Sequence, residues 1–334
     1  MAANLITMDK PKRILIFNHR HMGDVLMTTP ALRALRHHFQ NAWIDCVTSK
    51  VGKELLRGQM VVNRVLLEED FEHLSKKGWY DVAILFKATL RNSLRAIRLG
   101  IPKRIGYRRE WNQFLLTHSI NIGTTHHIHR NNSLLSPLGI TKLSDQMGYH
   151  ILPLNHPTDL PERYIVLNPG ATTSSNRWPI EYFARLANLI LETSPYDVVI
   201  TGASDDEKSA KEITGQVIHQ GRVHNVAGKT SINDLGHILH YSTAVITGDT
   251  GPMHLAIAVN TKNVIAIFGP ANEALTGPLN GYGTVLAKDK NGKWRTCNDK
   301  FEKIPVTSIT PEEVFENLVK NTNRHPEERS NEGS

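Results

Sequence analysis

The chain of 334 residues is long enough for two domains of ordinary size. Hydrophobic residues make up 40% of it and charged residues 21%, which excludes wholesale disorder, a collagen-like repeat and a coiled-coil rod. The formal net charge of +7 favours polyanionic partners, and leaves nucleic acid, an anionic membrane and phosphorylated substrates as alternatives.

Two cysteines, Cys46 and Cys297, lie far apart and lack the spacing of a metal site, so neither a disulfide framework nor a zinc ribbon is indicated and a reduced, cytoplasmic setting is favoured. The first seventeen residues do not have the pattern of a secretory signal. The apolar run 245–268 contains Asp249, His254 and Lys262, so it does not predict a membrane span.

The first half of the chain alternates between predicted strands and helices. Strands are predicted at Arg13–Phe17, Trp43–Val47 and Val82–Phe86, and an amphipathic helix at Thr29–Phe39. A second helix is predicted from apolar residues that recur on one side, with arginines between them: Leu90, Leu94 and Ile97. Strand and helix in alternation indicate a parallel sheet.

The same alternation restarts after a proline-rich stretch at 153–161, which predicts a linker. A strand is predicted at Tyr164–Leu167 and a helix from Pro179 onward, followed by strands at Val198–Thr201, Ala244–Thr247 and Val264–Phe268. The predicted fold class is α/β, with two Rossmann-like domains whose parallel sheets face each other across a cleft. The predicted domains are 1–155 and 162–320, with a disordered tail at 321–334.

A polar loop, Asn18–Asp24, follows the first strand and should lie at the carboxyl edge of its sheet, where such folds bind ligands. A carboxylate there could act as a general base, whereas local sequence allows equally that Asp24 caps a helix or closes an Asx-turn. Gly23 permits close approach of a ligand. Arg20, His19 and His21 could line the cleft or be solvated.

Two further loops have the chemistry of a phosphate site. Asn168–Arg177 presents hydroxyl groups and one guanidinium, although a plain loop leading to the helix at Pro179 is favoured when it is considered alone. Asp249–His254 joins a strand to a helix that begins near Pro252, and free N–H groups at a helix start favour phosphate. Asp249 itself suits sugar hydroxyls, with a helix cap as the alternative.

Several motifs are absent from the sequence. It contains no dinucleotide-binding glycine motif after the first strand, no P-loop and no nucleophile elbow, which disfavours dehydrogenase, kinase and hydrolase functions. It contains no Asp-x-Asp to hold a divalent ion on a diphosphate, so helix dipoles and basic side chains would have to stabilise a leaving group. Three histidines lie close together without partner ligands, so hydrogen bonding or solvation is favoured over metal binding: His126, His127 and His129.

The segment 91–110 contains seven Lys or Arg residues and one acidic residue. A solvated helix face would explain Arg91, Arg95 and Arg98, but the size of the excess favours contact with a phosphorylated acceptor or anionic lipid headgroups. Nucleic acid is disfavoured because no recognition motif is present.

Three motifs occur in order: GDVLMTTPALRAL, then NPGA with NRWP and EYFARLA, and then GDTGPMHLAIAVN with FGP and TGP. Together they resemble glycosyltransferase family 9, from about Arg13 to Val314. The resemblance implies the GT-B fold and an inverting, metal-independent transfer of heptose that needs no cofactor. It implies ADP-heptose as donor, bound mainly by the second domain, and the lipopolysaccharide inner core as acceptor. The resulting hypothesis is a cytoplasmic enzyme in peripheral contact with the anionic inner membrane surface, and no nucleic-acid partner is expected because no recognition motif is present.

Residue roles follow from the same motifs. Asp24 resembles the catalytic base, and Asp249 the donor-sugar contact. The remaining donor-binding residues that the resemblance implies are Thr172, Thr173, Arg177, Asn225, Thr250, Gly251, Pro252 and Met253. The residues assigned to the acceptor are Gly23, Arg20, Arg104 and Arg108.

Two departures from the family pattern stand out. Many members carry Lys where this chain has Asn176, so neutralisation of the diphosphate would depend on Arg177 and a helix dipole. Cys297 stands alone where some relatives are richer in cysteine, so no metal site is carried over. The loop after the first strand and the segment LLSPLGI are closest to members that add a second or third heptose.

Other functions remain compatible with the same motifs. One is another nucleotide-sugar glycosyltransferase, or a sugar-nucleotide epimerase or hydrolase, which would consume donor without an acceptor. A non-catalytic polyanion-binding protein is the alternative from a different class, and in it the substitution Asp24→Asn would change nothing measurable.

Overall fold

The computed structural model describes residues 11–74, 77–109, 112, 114–153, 160–171, 173–279, 281–295 and 301–323. The chain divides into two compact units, Met1–Met147 and Gly148–Ser334. Each unit contains a six-stranded sheet in which all neighbouring strands are parallel, and this confirms the α/β class.

The first unit has the strand order β3-β2-β1-β4-β5-β6. Its strands are β1 (Arg13–Phe17), β2 (Trp43–Thr48), β3 (Arg64–Leu67), β4 (Val82–Leu85), β5 (Lys103–Tyr107) and β6 (His118–Ile120). Its helices are α1 (Met22–Leu26), α2 (Thr29–His38), α3 (Lys50–Leu56), α4 (Leu90–Arg98) and α5 (His127–Ser133).

The second unit repeats this order as β12-β11-β10-β7-β8-β9. Its strands are β7 (Tyr164–Asn168), β8 (Asp197–Ile200), β9 (Val223–Asn225), β10 (Ala244–Gly248), β11 (Val264–Ile267) and β12 (Thr284–Leu286). Its helices are α6 (Ile180–Thr193), α7 (Glu207–Gln216), α8 (Ile232–Tyr241), α9 (Gly251–Ala258), α10 (Glu273–Thr276) and α11 (Pro311–Asn323).

The central strands are short apolar runs because both faces of each sheet are covered. Four of the five residues of β1 and all five of β7 are buried. In both units the order of strands reverses between the first and fourth strands, β1 and β4 in one, β7 and β10 in the other. Loops that follow these strands part at this point and leave a crevice at the carboxyl ends, where ligands bind in doubly wound sheets.

The division between the units falls before the proline-rich stretch that the sequence indicated as the linker. The backbone N–H of Tyr149 donates to the carbonyl of Ala258 at 3.0 Å, and that of Leu152 to Oδ1 of Asn233 at 2.9 Å. These hydrogen bonds attach residues 148–152 to the second unit, and residues 154–159 lie outside the described residues.

The C-terminal helix also extends past the predicted limit of the second domain. The tail was predicted from residue 321, but α11 continues to Asn323, because Leu318 is buried and Nδ2 of Asn321 donates to Oγ1 of Thr284 at 2.9 Å. Residues 324–334 lie outside the described part. Among the described residues, none of the helices is both long and apolar enough to cross a bilayer.

Helix α4 forms where it was predicted, but its apolar side faces solvent. Leu90, Leu94 and Ile97 are exposed, whereas Asn92 and Arg95 are buried. Apolar faces of surface helices normally pack on the core, so this orientation is the reverse of the usual one.

Candidate active site

The carboxylate predicted to act as a base lies in the crevice of the first unit. Asp24 is in the first turn of α1, seven residues after the end of β1. The N-cap residue of α1 is His21 and that of α2 is Thr28, so the alternative that Asp24 caps a helix is wrong.

Four basic side chains share the neighbourhood of Asp24. His19 follows β1 and interacts electrostatically with Asp24, and also with Lys87, His127 and Arg130. Lys87 follows β4, the neighbour of β1, and its amide N–H donates to the carbonyl of Phe17 at 3.2 Å. Both Lys87 and His127 interact electrostatically with Asp24 as well. One acid is therefore grouped with basic residues from three segments that are distant in sequence.

Helix α5, which carries His127 and Arg130, is held against the start of the chain by one buried amide. Nδ2 of Asn131 donates to the carbonyl of Met27 at 3.1 Å, and its Oδ1 accepts from the hydroxyl of Tyr107 at 3.1 Å. The guanidinium of Arg130 lies 5.3 Å from the centre of the Tyr107 ring, a cation–π geometry.

Burial sets the protonation of the two imidazoles. It lowers the pKa of His19 to about 4, against the opposing effect of Asp24. It also lowers the pKa of His127, and the charge of Arg130 acts in the same direction. Both rings are neutral near pH 7, so Lys87 and Arg130 supply the positive charge.

Two buried nitrogen atoms, Nδ1 of His127 and Nε of Arg130, have no hydrogen-bond partner among the described residues. Unsatisfied buried polar atoms are costly and call for a partner. Next to Asp24 and Lys87, they could hold an anionic or hydroxyl-rich ligand close to the carboxylate.

Three of the four residues assigned to the acceptor lie at this edge of the first sheet. Gly23 is buried within α1. Arg20 forms an ion pair with Glu68 at 2.5 Å, and Glu68 also interacts electrostatically with Lys87. Arg108 is exposed and directly follows β5 at the carboxyl edge.

Arg104 is placed differently, on the second residue of β5 and towards the amino end of the strand. Its guanidinium donates to the carbonyls of Leu115 at 2.9 Å and Ile101 at 2.6 Å. These bonds hold the backbone on either side of β5 and do not reach the Asp24 crevice.

In the second unit, hydrogen bonds link the ends of the central strands. Nδ2 of Asn168, the last residue of β7, donates to Oγ1 of Thr201 at 3.1 Å. A Cβ at Gly248, the last residue of β10, would lie 3.6 Å from the carbonyl oxygen of Asn176. The loops that follow β7 and β10 therefore meet.

The cation predicted for the diphosphate is paired within the protein. The guanidinium of Arg177 lies 3.4 Å from a carboxylate oxygen of Asp206 and within 3.4 Å of Oγ of Ser209 and the carbonyl of Ala171. Thr173 precedes the short turn that leads to Arg177, and Thr172 lies outside the described residues.

The start of α9 has the geometry expected of an anion site. Thr250 is its N-cap residue, so the alternative that Asp249 caps this helix is wrong. The Thr250 hydroxyl lies 3.0 Å from that of Thr247 and does not cap the helix. Pro252 has no N–H and the side chain of Met253 is buried, so Gly251 and Met253 would contribute through their backbone.

Asn225 ends the edge strand β9, two strands away from β7. Its Oδ1 accepts from the N–H of Ala227 at 3.1 Å. Among the described residues, no group of three or more His, Cys, Asp or Glu side chains has the arrangement of a metal site.

Sequence reasoning missed Lys87 and Arg130, and it treated His127 as solvated or hydrogen bonded. The signal for Lys87 was present, because it follows an apolar strand by two residues and so lies at a carboxyl edge. No local signal marks His127 or Arg130, since α5 is held at the site by long-range contacts such as those of Asn131 with Met27 and Tyr107.

Two doubly wound sheets in one chain, each with polar residues at its point of strand reversal, are the architecture of the GT-B fold. The family model of glycosyltransferase family 9 (heptosyltransferase) matches residues 71–304, and the chain belongs to this family.

Known relatives match almost the whole chain. Lipooligosaccharide heptosyltransferase 2 of Haemophilus influenzae is 27% identical and covers 91% of this chain and 98% of its own. The solved structure of a glycosyl transferase family 9 protein from Veillonella parvula has a TM-score of 0.80 at 21% identity, covering 93% of this chain and 97% of its own. An E. coli heptosyltransferase solved with ADP has a TM-score of 0.76 at 23% identity, covering 92% and 99%.

Proposed function

We propose that this protein transfers heptose from ADP-heptose to a hydroxyl group of the lipopolysaccharide inner core, with inversion at the anomeric carbon and without a metal ion. The observation that carries the proposal is the position of Asp24 at the strand reversal of the first sheet, with a helix start suited to phosphate at the equivalent point of the second. The names of the relatives support the substrates, since one is a lipooligosaccharide heptosyltransferase and another was solved with ADP.

The donor is assigned to the second unit. The diphosphate would accept hydrogen bonds from the N–H groups of Gly251 and Met253, where the helix dipole favours negative charge. Thr250, Pro252 and the Thr172–Thr173 loop would border it, Asp249 would bind hydroxyls of the sugar, and Asn225 the ribose or base. Because Asp206 offsets the charge of Arg177, the helix start must provide much of the stabilisation of the leaving group.

The chemistry is a single displacement. The acceptor oxygen forms a bond to the anomeric carbon while the bond from that carbon to the diphosphate oxygen breaks, and ADP leaves with the electron pair. The carboxylate of Asp24 takes the proton of the acceptor hydroxyl. Attack from the face opposite the leaving group inverts the anomeric configuration.

The acceptor is assigned to the first unit, next to Asp24. Gly23, Arg20 and Arg108 lie at the correct edge of the sheet, and Lys87, His127 and Arg130 join them. We do not extend the assignment to Arg104, whose Nε and Nη1 donate to backbone carbonyls at the other end of β5. One relative that aligns over 98% of its own length is named heptosyltransferase 2, and this name favours an acceptor that already carries one heptose. The enzyme would work on the cytoplasmic side, in peripheral contact with the inner membrane surface.

The test is mass-spectrometric detection of heptose addition. The protein is mixed with ADP-heptose and truncated lipopolysaccharide acceptors that carry no, one or two heptose residues, in the presence of EDTA. A mass gain of one heptose on the acceptor with one heptose is expected, because that acceptor presents the next hydroxyl. Loss of activity in EDTA, restored by a divalent cation, would contradict metal independence.

Two variants complete the test. Asp24→Asn should lose roughly a hundredfold or more in turnover, since a positioned base contributes about 10²–10⁴. Glu69→Gln, an exposed carboxylate of the same unit, should behave as wild type. Consumption of ADP-heptose in the absence of an acceptor would favour an epimerase or hydrolase. Wild-type transfer activity in Asp24→Asn would refute the role of Asp24 as the base.

A further inference from the structure

Helix α4 exposes a continuous apolar stripe on the first unit. The side chains of Leu90, Leu94 and Ile97 are 53%, 49% and 39% exposed. Their spacing of four and three residues places them on one face of the helix. A helix with this pattern could have packed the stripe on the sheet, so its orientation needs an explanation.

The opposite face is fastened to the protein by polar and small residues. Asn92 donates from Nδ2 to the carbonyl of Lys87 at 3.0 Å, and the guanidinium of Arg95 lies 4.4 Å from the centre of the Phe71 ring and donates to the carbonyl of Glu68 at 3.2 Å. Ala96 packs in the core beneath. These contacts fix the orientation, so the stripe cannot turn inward without breaking them.

The charge around the stripe has one sign. Arg91 and Arg98 are exposed and lie on one flank of it. Between Asp81 and Glu110 the chain contains eight Lys or Arg residues and no acidic residue. Phe114, which is 85% exposed, belongs to the segment that covers the same face of the sheet through Leu116. An apolar stripe bordered by cations matches the boundary between anionic headgroups and acyl chains.

We propose that α4 lies in the surface of an anionic lipid bilayer, with Leu90, Leu94 and Ile97 inserted among the acyl chains and Arg91 and Arg98 against the phosphates. The inference deepens the proposed function, because it gives the peripheral contact a defined surface and rests on that proposed location. A second copy of the chain is a less suitable occupant, because the arginines beside the stripe would meet the same positive charge on the copy.

Vesicle binding tests the proposal without donor or acceptor. Co-sedimentation of the full chain is measured with phosphatidylcholine vesicles and with vesicles of mixed phosphatidylcholine and phosphatidylglycerol. Wild type should bind the anionic vesicles more tightly, and the double variant Leu90→Gln/Leu94→Gln should bind them roughly tenfold or more weakly at unchanged charge. The double variant Arg91→Gln/Arg98→Gln should lose about fivefold for each arginine and much of the preference for anionic lipid.

Matched controls exclude general effects of polarity and charge. Ile218→Gln removes an exposed apolar side chain from the second unit, and Lys53→Gln/Arg57→Gln removes two exposed cations from the first. Both should bind as wild type. Each variant should have the same thermal unfolding temperature as wild type, which would show that its fold is intact, as expected for substitutions at exposed positions.

The outcomes separate this proposal from the catalytic one. Leu90→Gln/Leu94→Gln should keep wild-type transfer to a water-soluble truncated acceptor while it loses vesicle binding. Absence of vesicle binding by wild type would overturn the membrane surface even if transfer is intact. The same holds if light scattering shows a dimer of wild type that this variant dissociates, since the stripe would then bind a second copy.

Discussion

At the scale of single residues, burial decides what the groups around Asp24 can do. His19 would be partly protonated near neutral pH if it were exposed, but burial keeps the ring neutral. Lys87 and Arg130 then remain as the cations next to the carboxylate. The neutral His19 ring therefore adds no positive charge beside the Asp24 carboxylate near pH 7.

The depressed pKa of His19 predicts a loss of stability in acid. The folded state releases the proton at about pH 4 and the unfolded state at about 6.5, so the unfolded state binds more protons as the pH falls through this window. The free energy of unfolding should fall by roughly 2–3 kcal/mol between neutral pH and pH near 4.5 from this group, as measured by urea denaturation.

The substitution His19→Gln should remove that part of the pH dependence, because glutamine does not titrate. The exposed His37→Gln serves as its control and should keep the wild-type slope. An unchanged slope in His19→Gln would show that His19 is not the buried neutral group described above.

At the scale of elements, the site depends on how one short helix is attached. Helix α5 has seven residues and brings His127 and Arg130 to Asp24, and a helix of that length has little stability of its own. Asn131 supplies two buried hydrogen bonds that join it to β5 and to the turn between α1 and α2. The side-chain amide of Asn131 therefore positions His127 and Arg130, although we assign it no part in the chemistry.

The substitution Asn131→Ala should lower both stability and activity. Two lost hydrogen bonds, one of them to the carbonyl of Met27, should cost about 2–3 kcal/mol in a denaturant titration. The ratio kcat/KM for the acceptor should fall as well, because His127 and Arg130 lose their support. Ser133→Ala on the same helix breaks only a bond to the carbonyl of Arg130 and should change both quantities little. Wild-type kcat/KM in Asn131→Ala would contradict a positioning role.

At the scale of the whole molecule, the chain contains two sheets with the same strand order, and each has its own crevice residues. The proposed base is in one unit and the proposed phosphate site in the other. The proposed function therefore assigns nucleotide binding and activation of the acceptor to separate units.

This separation predicts a difference between two variants in the binding of ADP, measured by calorimetry. Asp24→Asn should leave the Kd for ADP unchanged, because the proposed donor site lies in the second unit. Thr250→Val should raise the Kd about fivefold. The proposed hydrogen bond between the Thr250 hydroxyl and the diphosphate, worth roughly 1 kcal/mol, would be lost without a large change in side-chain shape. If Asp24→Asn weakened ADP binding as much as Thr250→Val, the assignment of the donor to the second unit would be wrong.

The sequence by itself determined the fold class, the central strands and the motifs at their ends. Short apolar runs such as those of β1 and β7 encode strands buried on both faces, and the residues after them must lie at a carboxyl edge. These are local properties, so Asp24 and the loops of Arg177 and Thr250 could be found without coordinates.

Only the tertiary structure decided which side chains meet. His127 and Arg130 lie more than a hundred residues from Asp24, and the pairing of Arg177 with Asp206 depends on the approach of two loops. Periodicity identified α4 as amphipathic but could not say which side faces the core, because the contacts of Asn92 and Arg95 are made with residues outside the helix. Long-range pairing is a property of the packed chain, and a local pattern of residues does not contain it.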